Sequence, residues 1–369
     1  MNVCEFWVGY DNSYTRENIP LSLSAKAAKS DWGGGLNSFH SMGKITLTHE
    51  YSNIVSIENL LDAWTEFVKG KRSRKDVQEF GRNLMDNVIS LHNDLVLKTY
   101  RHSAYEAFNI SDPKPRNIHK AKVRDRLLHH ALYRKLYPFF DRTFISDSYS
   151  CRLRKGTHRA MARFDSFAYK ASKNHTKTLW VLKCDIKKFF ASIDQKILLD
   201  IVGQYISDKD ILWLLSQIIK SFHSTHVGVG LPLGNLTSQL FVNIYMNEFD
   251  QFMKHKLKAK YYIRYADDFV ILNQNKDYLL EMVSKIAEFL EGNLKLLLHP
   301  DKVFVKTLAS GVDFLGWVHF PDHRVLRTVS KKRMFKKLAV NTRTESVASY
   351  LGLMLHGNTY KLQQRVDVF

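Results

Sequence analysis

Residues 261–273 read YYIRYADDFVILN, two apolar runs separated by Ala266, Asp267 and Asp268. The runs are rich in Tyr, Ile, Val and Phe, which suit β-strands, and the acidic pair falls where a tight turn would join them. The pattern predicts a β-hairpin with both carboxylates at its bend. Because two carboxylates that close repel each other, the arrangement makes most sense with a divalent cation beside them.

An ordinary turn is the alternative interpretation of the acidic pair. A Tyr-x-Asp-Asp match arises by chance in roughly a few per cent of chains of this length. An Asp pair in a turn is also common for purely conformational reasons. The hairpin alone leaves catalysis and a simple turn open, so the decision depends on the remaining sequence.

The chain is large and strongly basic. It has 369 residues, 45% of them hydrophobic, and a net charge of +19, so it has room for two or three subdomains and an excess of charge that suits polyanions. A generically basic soluble protein is the alternative, since net charge indicates partners rather than chemistry. The basic residues are spread through four segments, which favours a charged channel over a basic tail: 69–75, 114–126, 152–163 and 331–337.

Cysteine spacing and hydropathy indicate the setting of the protein. Cys4, Cys151 and Cys184 are far apart and show no CxxC spacing, which argues against both a disulfide framework and a structural zinc site. No run reaches the roughly 18 apolar residues of a membrane span. The N-terminal residues include Glu5 and Asp11 and lack the basic start of a signal peptide. We therefore expect a cytoplasmic protein without a membrane partner.

Apolar spacing predicts helices and strands from Ser56 onward, whereas residues 1 to about 50 are an extension of unknown role. Two prolines favour extended backbone, and hence a β-ribbon, over residues 108–118. The predicted helices cover about 77–96, 125–137, 194–205, 209–222, 236–257, 276–290 and 330–340. The predicted strands cover about 179–186 and 303–305, besides the hairpins at 261–273 and 312–326.

The order of these elements predicts how distant acidic residues meet. Without the two helices at 194–222, the order is strand, helix, strand, strand, helix, strand, which is the split βαβ, ferredoxin-like pattern. In that pattern the end of the first strand lies beside the turn of the central hairpin. We therefore expect Asp185 to lie next to Asp267 and Asp268, in a fold of the α+β class.

Three Asp side chains without His or Cys suit Mg²⁺ better than zinc. Two such ions activate one oxygen and stabilise another in an in-line phosphoryl displacement. With a bound nucleoside triphosphate, a primer 3′ hydroxyl would attack and pyrophosphate would leave. The predicted reaction is therefore nucleotidyl transfer.

Basic residues near the ribbon are predicted to bind the triphosphate. Lys114 and Arg116, with Arg124 or Arg126, would offset its developing charge. A generic basic surface ribbon is the alternative, since exposed charges of this kind are common.

Three further positions fall where nucleotidyl transfer needs them. Phe190 lies five residues past Asp185, where a bulky ring would exclude a 2′ hydroxyl, unless the ring is simply part of the core. The loop Gly230–Gly234 would bring backbone close to the template–nucleotide pair, which glycine permits. Lys302 would donate a proton to pyrophosphate, although many such sites work without a donor.

Seven segments, in this order, resemble the reverse transcriptase family over about residues 50–340. They are PKPRNIHKAKVRDR, SYSCRLRKGTH, KCDIKKFFASID, GLPLGNLTSQLFVNIYMNEFD, YIRYADDFVIL, LHPDKV and VDFLGWV. The resemblance implies an RNA-directed DNA polymerase shaped as a right hand, with a ferredoxin-like palm, helical and β-ribbon fingers and a short helical thumb. It places the fingers at 51–178, the palm at 179–320 with a fingers insertion at about 195–230, and the thumb at 321–369.

The resemblance also implies roles for individual residues. Two Mg²⁺ ions, or Mn²⁺ as a substitute, would be held by the three Asp residues together with Ile186. Gln239 and Leu233 would lie near the template. A primer grip would consist of Phe314, Leu315 and Gly316.

Within the family, GLPLGNLTSQ resembles the diversity-generating retroelement branch, because group II intron and retron enzymes usually carry Gln where Leu233 stands. That branch copies a template RNA with frequent misincorporation opposite adenine. An apolar Leu233, unable to hydrogen-bond as Gln does, offers a physical route to low fidelity; the alternative is a packing variant with no effect on accuracy. The implied partners are template RNA, a cDNA or DNA primer, dNTPs and a small, basic, oligomeric accessory variability determinant.

Other functions remain open from the sequence. A reverse transcriptase of a phage-defence, retron or group II intron-like system is the alternative within the same class. A non-catalytic nucleic-acid-binding scaffold is the alternative from another class, although the intact Asp185, Asp267 and Asp268 argue against it.

Overall fold

A computed structural model of the chain describes residues 45–111, 115–340 and 344–366. The chain divides into two compact units. The first holds the described residues up to Arg142 together with Asp194–Ile244, and the second holds Thr143–Ile193 and the described residues from Tyr245 onward. The division into fingers, palm and thumb stays a prediction, and the N-terminal extension lies outside the described residues for most of its length.

The first unit is mainly helical. Its helices are α1 Tyr51–Val55, α2 Ile57–Phe67, α3 Lys75–Arg82, α4 Leu84–Val96, α5 Val123–Phe140, α8 Gln195–Gly203 and α9 Lys209–Ile219, and it includes the first part of α10 Leu236–Gln251. The Ser56 hydroxyl accepts a hydrogen bond from the Asn59 amide at 3.2 Å and caps α2, at the start predicted for this helix. The prediction of one helix over 77–96 is wrong, because Asn83 has φ −117° and ψ 43° and separates α3 from α4.

A two-stranded antiparallel ribbon completes the first unit. Its strands are β1 Glu106–Ile110 and β2 Arg116–Lys120, paired from Glu106 opposite Lys120 to Ile110 opposite Arg116. The predicted β-ribbon is therefore confirmed.

The second unit combines two sheets with helices. Its helices are α6 Thr157–Ala171, α7 Phe189–Ser192, the end of α10, α11 Lys276–Leu294, α12 Thr328–Val340, α13 Thr344–Met354 and α14 Tyr360–Val366. Its strands are β3 Trp180–Asp185, β4 Tyr262–Tyr265, β5 Asp268–Asn273, β6 Phe304–Thr307, β7 Val312–Phe314, β8 Trp317–His319 and β9 Arg324–Leu326. The helix predicted over 236–257 is α-helical only to Gln251, and a π-helical turn, Phe252–Lys256, follows it.

The four-stranded sheet has the order β4-β5-β3-β6, with every neighbouring pair antiparallel. Numbered along the chain, this order is 2-3-1-4, with crossovers between the first and second strands and between the third and fourth. The ferredoxin-like topology predicted from the sequence is confirmed, and with it the α+β fold class. Alternate residues of β3–β5, among them Val181, Ile263, Val270 and Leu272, share a buried core with α6 residues such as Phe164.

A three-stranded antiparallel sheet, β7-β8-β9, follows the first sheet in the chain. Its first turn has only two residues, Leu315 and Gly316, both with positive φ, 52° and 86°. Trp317 and Leu326 share a core with α12 and α13 through Met334, Leu338 and Met354. No helix within the described ranges is both long and apolar enough to cross a membrane.

Candidate active site

The antiparallel register of β3 and β5 brings the predicted acidic residues together. Asp185 ends β3, Asp268 begins β5, and the two are direct cross-strand partners. Direct partners in a sheet have Cβ atoms about 4.5–5.5 Å apart. Asp267 precedes Asp268 in a turn whose Ala266 has φ 55°. The structure therefore gathers three carboxylates from two distant segments, and their catalytic role stays a prediction.

Two lysines lie against these carboxylates. The Lys183 ammonium lies 3.4 Å from Oδ2 of Asp268 and donates to the backbone carbonyl of Asp313 at 2.7 Å. The Lys302 ammonium donates to Oδ1 of Asp185 at 3.0 Å. Lys302, predicted to protonate pyrophosphate, is thus an ion-pair partner of Asp185 in this structure. Sequence reasoning missed Lys183, although its position two residues before Asp185 places both on one face of β3.

The surroundings of the Asp268 carboxyl group favour its protonated form. Burial raises the pKa of Asp268 to about 7, the Lys183 ammonium opposes this rise, and the charges of Asp267 and Asp185 add to it. The side chain is 22% exposed, yet its Oδ1 atom is buried and has no hydrogen-bond partner among the described residues. A buried carboxylate oxygen without a partner is costly, and a bound cation would satisfy it.

The donor set consists of carboxylate oxygens, which fits a hard divalent cation. Within 45–111, 115–340 and 344–366, no group of three or more His, Cys, Asp or Glu side chains is arranged to hold a metal ion. Oxygen ligands alone, together with the orphaned Oδ1 of Asp268, suit Mg²⁺. Ile186, the other predicted ligand, directly follows β3 and is buried.

The short helix α7 places two aromatic rings just after Asp185. Phe189 is buried in the core, and Phe190 is only partly buried. Their ring centroids lie 5.6 Å apart in an edge-on contact. One of the two rings is thus core, as expected, and Phe190 keeps exposed surface with which to contact a sugar. Its role in excluding a 2′ hydroxyl stays a prediction.

In the first unit, the glycine-marked loop is hydrogen-bonded to β2. The His119 amide donates to the Leu233 carbonyl at 3.0 Å, and the Asn235 side-chain amide donates to the His119 carbonyl at 2.9 Å. Between these bonds, Gly234 has φ 103°, and a Cβ on it would lie 2.8 Å from Cγ2 of Ile118. Glycine is therefore required at this position by both conformation and space.

The predicted triphosphate-binding residues have different surroundings. Arg116 begins β2, the strand that holds the loop of Leu233 and Gly234, whereas Lys114 lies outside the described residues. The Arg126 side chain is only 6% exposed, and its Nη2 atom lies 2.5 Å from Oδ2 of Asp76. Arg124 is likewise ion-paired. Their contact with a triphosphate stays a prediction.

The remaining predicted residues are largely buried. Gln239 lies on α10 and is 8% exposed. The Phe314 side chain is fully buried at the end of β7, and the partly buried Leu315 packs against the same core. The template and primer-grip roles stay predictions.

Comparison with known proteins decides the family. Residues 111–319 match the model of the family described as "Reverse transcriptase (RNA-dependent DNA polymerase)", which is more than half of the chain. The chain belongs to the reverse transcriptase family. The prediction of an RNA-directed DNA polymerase is thereby confirmed at the level of the family, whose members generally use divalent metal ions.

Individual relatives cover parts of this reverse transcriptase. It is 27% identical over 259 residues to protein YkfC of Escherichia coli K12, covering 60% of this chain and 66% of that protein. It is 22% identical over 292 residues to the group II intron-encoded protein LtrA of Lactococcus lactis subsp. cremoris, covering 60% of this chain and 47% of that protein. The chain thus spans less than two thirds of these relatives. A solved structure of apo telomerase from Candida tropicalis aligns with TM-score 0.46 and 14% identity, covering 66% of this chain and 60% of that one.

We expect Gly234→Ala to destabilise the first unit for two reasons, the positive φ at this position and the clash of the added Cβ with Ile118. Gly228→Ala serves as a matched control, since Gly228 also has positive φ, 83°, but has nothing within 4 Å of an added Cβ. Urea unfolding should show a cost of about 1 kcal/mol for Gly228→Ala and a larger cost for Gly234→Ala.

A double-mutant cycle with Ile118→Ala isolates the steric part of this cost. Removing Cγ2 makes room for the added Cβ. The double variant should therefore lose about 1 kcal/mol less unfolding free energy than the sum of the losses in the two single variants. Strict additivity would contradict the close approach of the loop to β2.

Proposed function

We propose that this reverse transcriptase synthesises DNA on an RNA template by nucleotidyl transfer, with Asp185, Asp267 and Asp268 as the metal-holding residues. The observation that carries the proposal is the direct pairing of Asp185 with Asp268 beside the turn that holds Asp267, in a ferredoxin-like sheet. Template RNA, a DNA primer and dNTPs are the proposed partners, in the cytoplasm.

The three carboxylates and the metal ions that they would hold have different roles in the proposed reaction. Two bound Mg²⁺ ions would polarise the attacking and leaving oxygens and offset their charge. Asp185, Asp267 and Asp268 would hold the two ions, whose positive charge would offset the repulsion among the carboxylates that helps to raise the pKa of Asp268.

Lysines and an aromatic ring complete the proposed site. Lys183 remains beside Asp268 and limits the repulsion among the carboxylates. Lys302, once it leaves Asp185, holds a proton for departing pyrophosphate. Phe190 lies against the sugar of the incoming nucleotide and excludes a 2′ hydroxyl. Arg116, with Lys114, binds the triphosphate.

Primer extension on an RNA template tests this function. We expect Asp267→Ala to lower the rate of Mg²⁺-dependent extension by at least about 10²–10³-fold, because a charged group at the reacting centre contributes that much to kcat. Asp277→Ala is the matched control, since it removes an exposed carboxylate in the first turn of α11 and should extend at the wild-type rate.

The assay is run with and without added accessory protein. Wild-type extension that disappears in Asp267→Ala supports the proposal. Absence of synthesis by the wild type under every condition contradicts the proposal and favours a nucleic-acid-binding scaffold. Synthesis that persists in Asp267→Ala contradicts the metal-holding role of Asp267.

We further propose that the chain is the reverse transcriptase of a diversity-generating retroelement, with error-prone copying at template adenines. The segment GLPLGNLTSQ and its Leu233 support this branch. Leu233 is partly buried, and its carbonyl is fixed by the His119 amide, so an apolar side chain is presented from a constrained backbone. A small, basic, oligomeric accessory variability determinant is the proposed protein partner.

A group II intron-like system is the second candidate function. The 22% identity to the intron-encoded protein LtrA over 292 residues favours it. Copying fidelity separates the two, since only the first candidate predicts errors concentrated at adenines.

Sequencing the cDNA tests the branch and the role of Leu233 together. We expect wild-type errors to concentrate opposite template adenine, and Leu233→Gln to reduce that excess several-fold, because Gln restores a hydrogen-bonding side chain. Leu233→Met is the matched control, since it preserves volume and apolarity and should keep the wild-type error spectrum.

Faithful copying of adenines by the wild type contradicts the diversity-generating branch. An unchanged error spectrum in Leu233→Gln contradicts only the role of Leu233.

A further inference from the structure

A fully buried ion pair lies next to the acidic turn. Arg264 of β4 and Asp250 of α10 both have 0% exposed side chains. The guanidinium binds the carboxylate through two hydrogen bonds, from Nε to Oδ1 at 2.8 Å and from Nη2 to Oδ2 at 2.6 Å. The Tyr262 hydroxyl donates a third hydrogen bond to Oδ1 at 2.7 Å. A bidentate pair of this kind fixes the guanidinium in one orientation.

The same guanidinium reaches the turn that precedes Asp267. Its Nη1 atom donates to the Ala266 carbonyl at 3.1 Å, and its Nη2 atom donates to the Ser148 hydroxyl at 3.1 Å. The Ala266 carbonyl and the Asp267 amide belong to one planar peptide unit. A donor that fixes this carbonyl therefore fixes the orientation of the peptide plane that leads into the Asp267 Cα, and this restricts where the Asp267 side chain lies.

The turn has a conformation that needs such support. Ala266 has φ 55°, in the left-handed region, which L-residues other than glycine adopt at a cost. Strained residues persist at functional sites where the surroundings hold them in place. A hydrogen bond to the Ala266 carbonyl from a fully buried guanidinium is a restraint of this kind, because no water competes for the donor.

We propose that Arg264, oriented by Asp250, is a positioning residue that holds the Ala266–Asp267 peptide and thereby sets where the Asp267 carboxylate lies. The consequence for catalysis rests on the proposed polymerase function. Two apolar side chains of similar volume would fill the space of Arg264 and Asp250, but they would leave the Ala266 carbonyl without a hydrogen-bond donor. The need for this donor explains why a charged pair is buried here.

The backbone at Arg264 is anchored independently of its side chain. The Arg264 amide donates to the Asp147 carbonyl at 3.0 Å, and the Tyr149 amide donates to the Arg264 carbonyl at 3.0 Å. Substitution of the side chain therefore removes the restraint on the turn while β4 keeps these bonds. This separation makes the proposal testable in a folded chain.

The test is a double variant, Arg264→Met with Asp250→Leu, in the full chain with template and primer. It removes both charges together and avoids an unpaired buried ion. Three quantities are measured: the urea midpoint of unfolding, Mn²⁺ affinity by electron paramagnetic resonance, and the separate kcat and KM for dNTP. We expect a cooperative unfolding transition, Mn²⁺ affinity at least about 10-fold weaker, and a lower kcat at nearly unchanged KM.

Tyr262→Phe is the matched control. It removes a hydroxyl that interacts with both Asp250 and Arg264 but leaves the bond from Arg264 to the Ala266 carbonyl, so Mn²⁺ affinity and kcat should stay near wild type. If the Met/Leu variant does not fold, Arg264→Gln with Asp250→Asn replaces it. Its neutral pair can still hydrogen-bond, but the Gln amide ends two bonds short of the Nη1 position and leaves the carbonyl free.

Wild-type Mn²⁺ affinity and kcat in a folded double variant overturn the positioning role. An equal loss in Tyr262→Phe also overturns it, because the effect would then follow general loosening of the core. If the wild type binds Mn²⁺ but makes no DNA, the polymerase proposal fails while the Mn²⁺ comparison still decides the role of Arg264. Failure of the wild type to bind Mn²⁺ overturns both.

Discussion

Repulsion between carboxylates is the constraint on which the second unit depends. The register of β3 and β5 sets Asp185 directly opposite Asp268, and the turn before β5 adds Asp267 beside them. Lys183 and Lys302 each neutralise one of these groups, and burial with neighbouring negative charge raises the pKa of Asp268 to about 7. Such a cluster is stable only with positive charge close by, so the same arrangement that strains the fold favours a divalent cation.

Rigid elements around the three carboxylates keep these groups close together despite their repulsion. The sheet fixes Asp185 and Asp268 through backbone pairing, whereas the turn at Ala266 is fixed by a side chain, Arg264, that is itself held by Asp250. In the first unit, a backbone hydrogen bond from His119 to Leu233 similarly holds the glycine loop on the ribbon. Both candidate segments, the acidic turn and the glycine loop, are thus held by hydrogen bonds from a neighbouring β-strand.

Much of this architecture follows from the sequence, because the predicted strands and helices along 179–307, apart from the two helices at 194–222, have the order of the split βαβ, ferredoxin-like pattern. That arrangement also predicts the meeting of Asp185 with the acidic turn. The pair of Arg264 and Asp250 was not predictable, since a charged residue in a strand usually indicates an exposed edge and its partner lies on another element. The break at Asn83 was hidden because apolar spacing continues across it. The burial of Arg126 was not predictable, because a run of basic residues does not indicate which of them form ion pairs within the fold.

Anomalous diffraction from Mn²⁺ tests most directly whether the three carboxylates together bind divalent cations. The crystals would contain the chain with an RNA template, a DNA primer and a non-hydrolysable dNTP analogue. We predict Mn²⁺ peaks bound by Asp185, Asp267 and Asp268, with the Lys302 ammonium displaced from Asp185 and Arg264 still bonded to the Ala266 carbonyl. Mn²⁺ bound elsewhere, with Lys302 still on Asp185, would contradict the account.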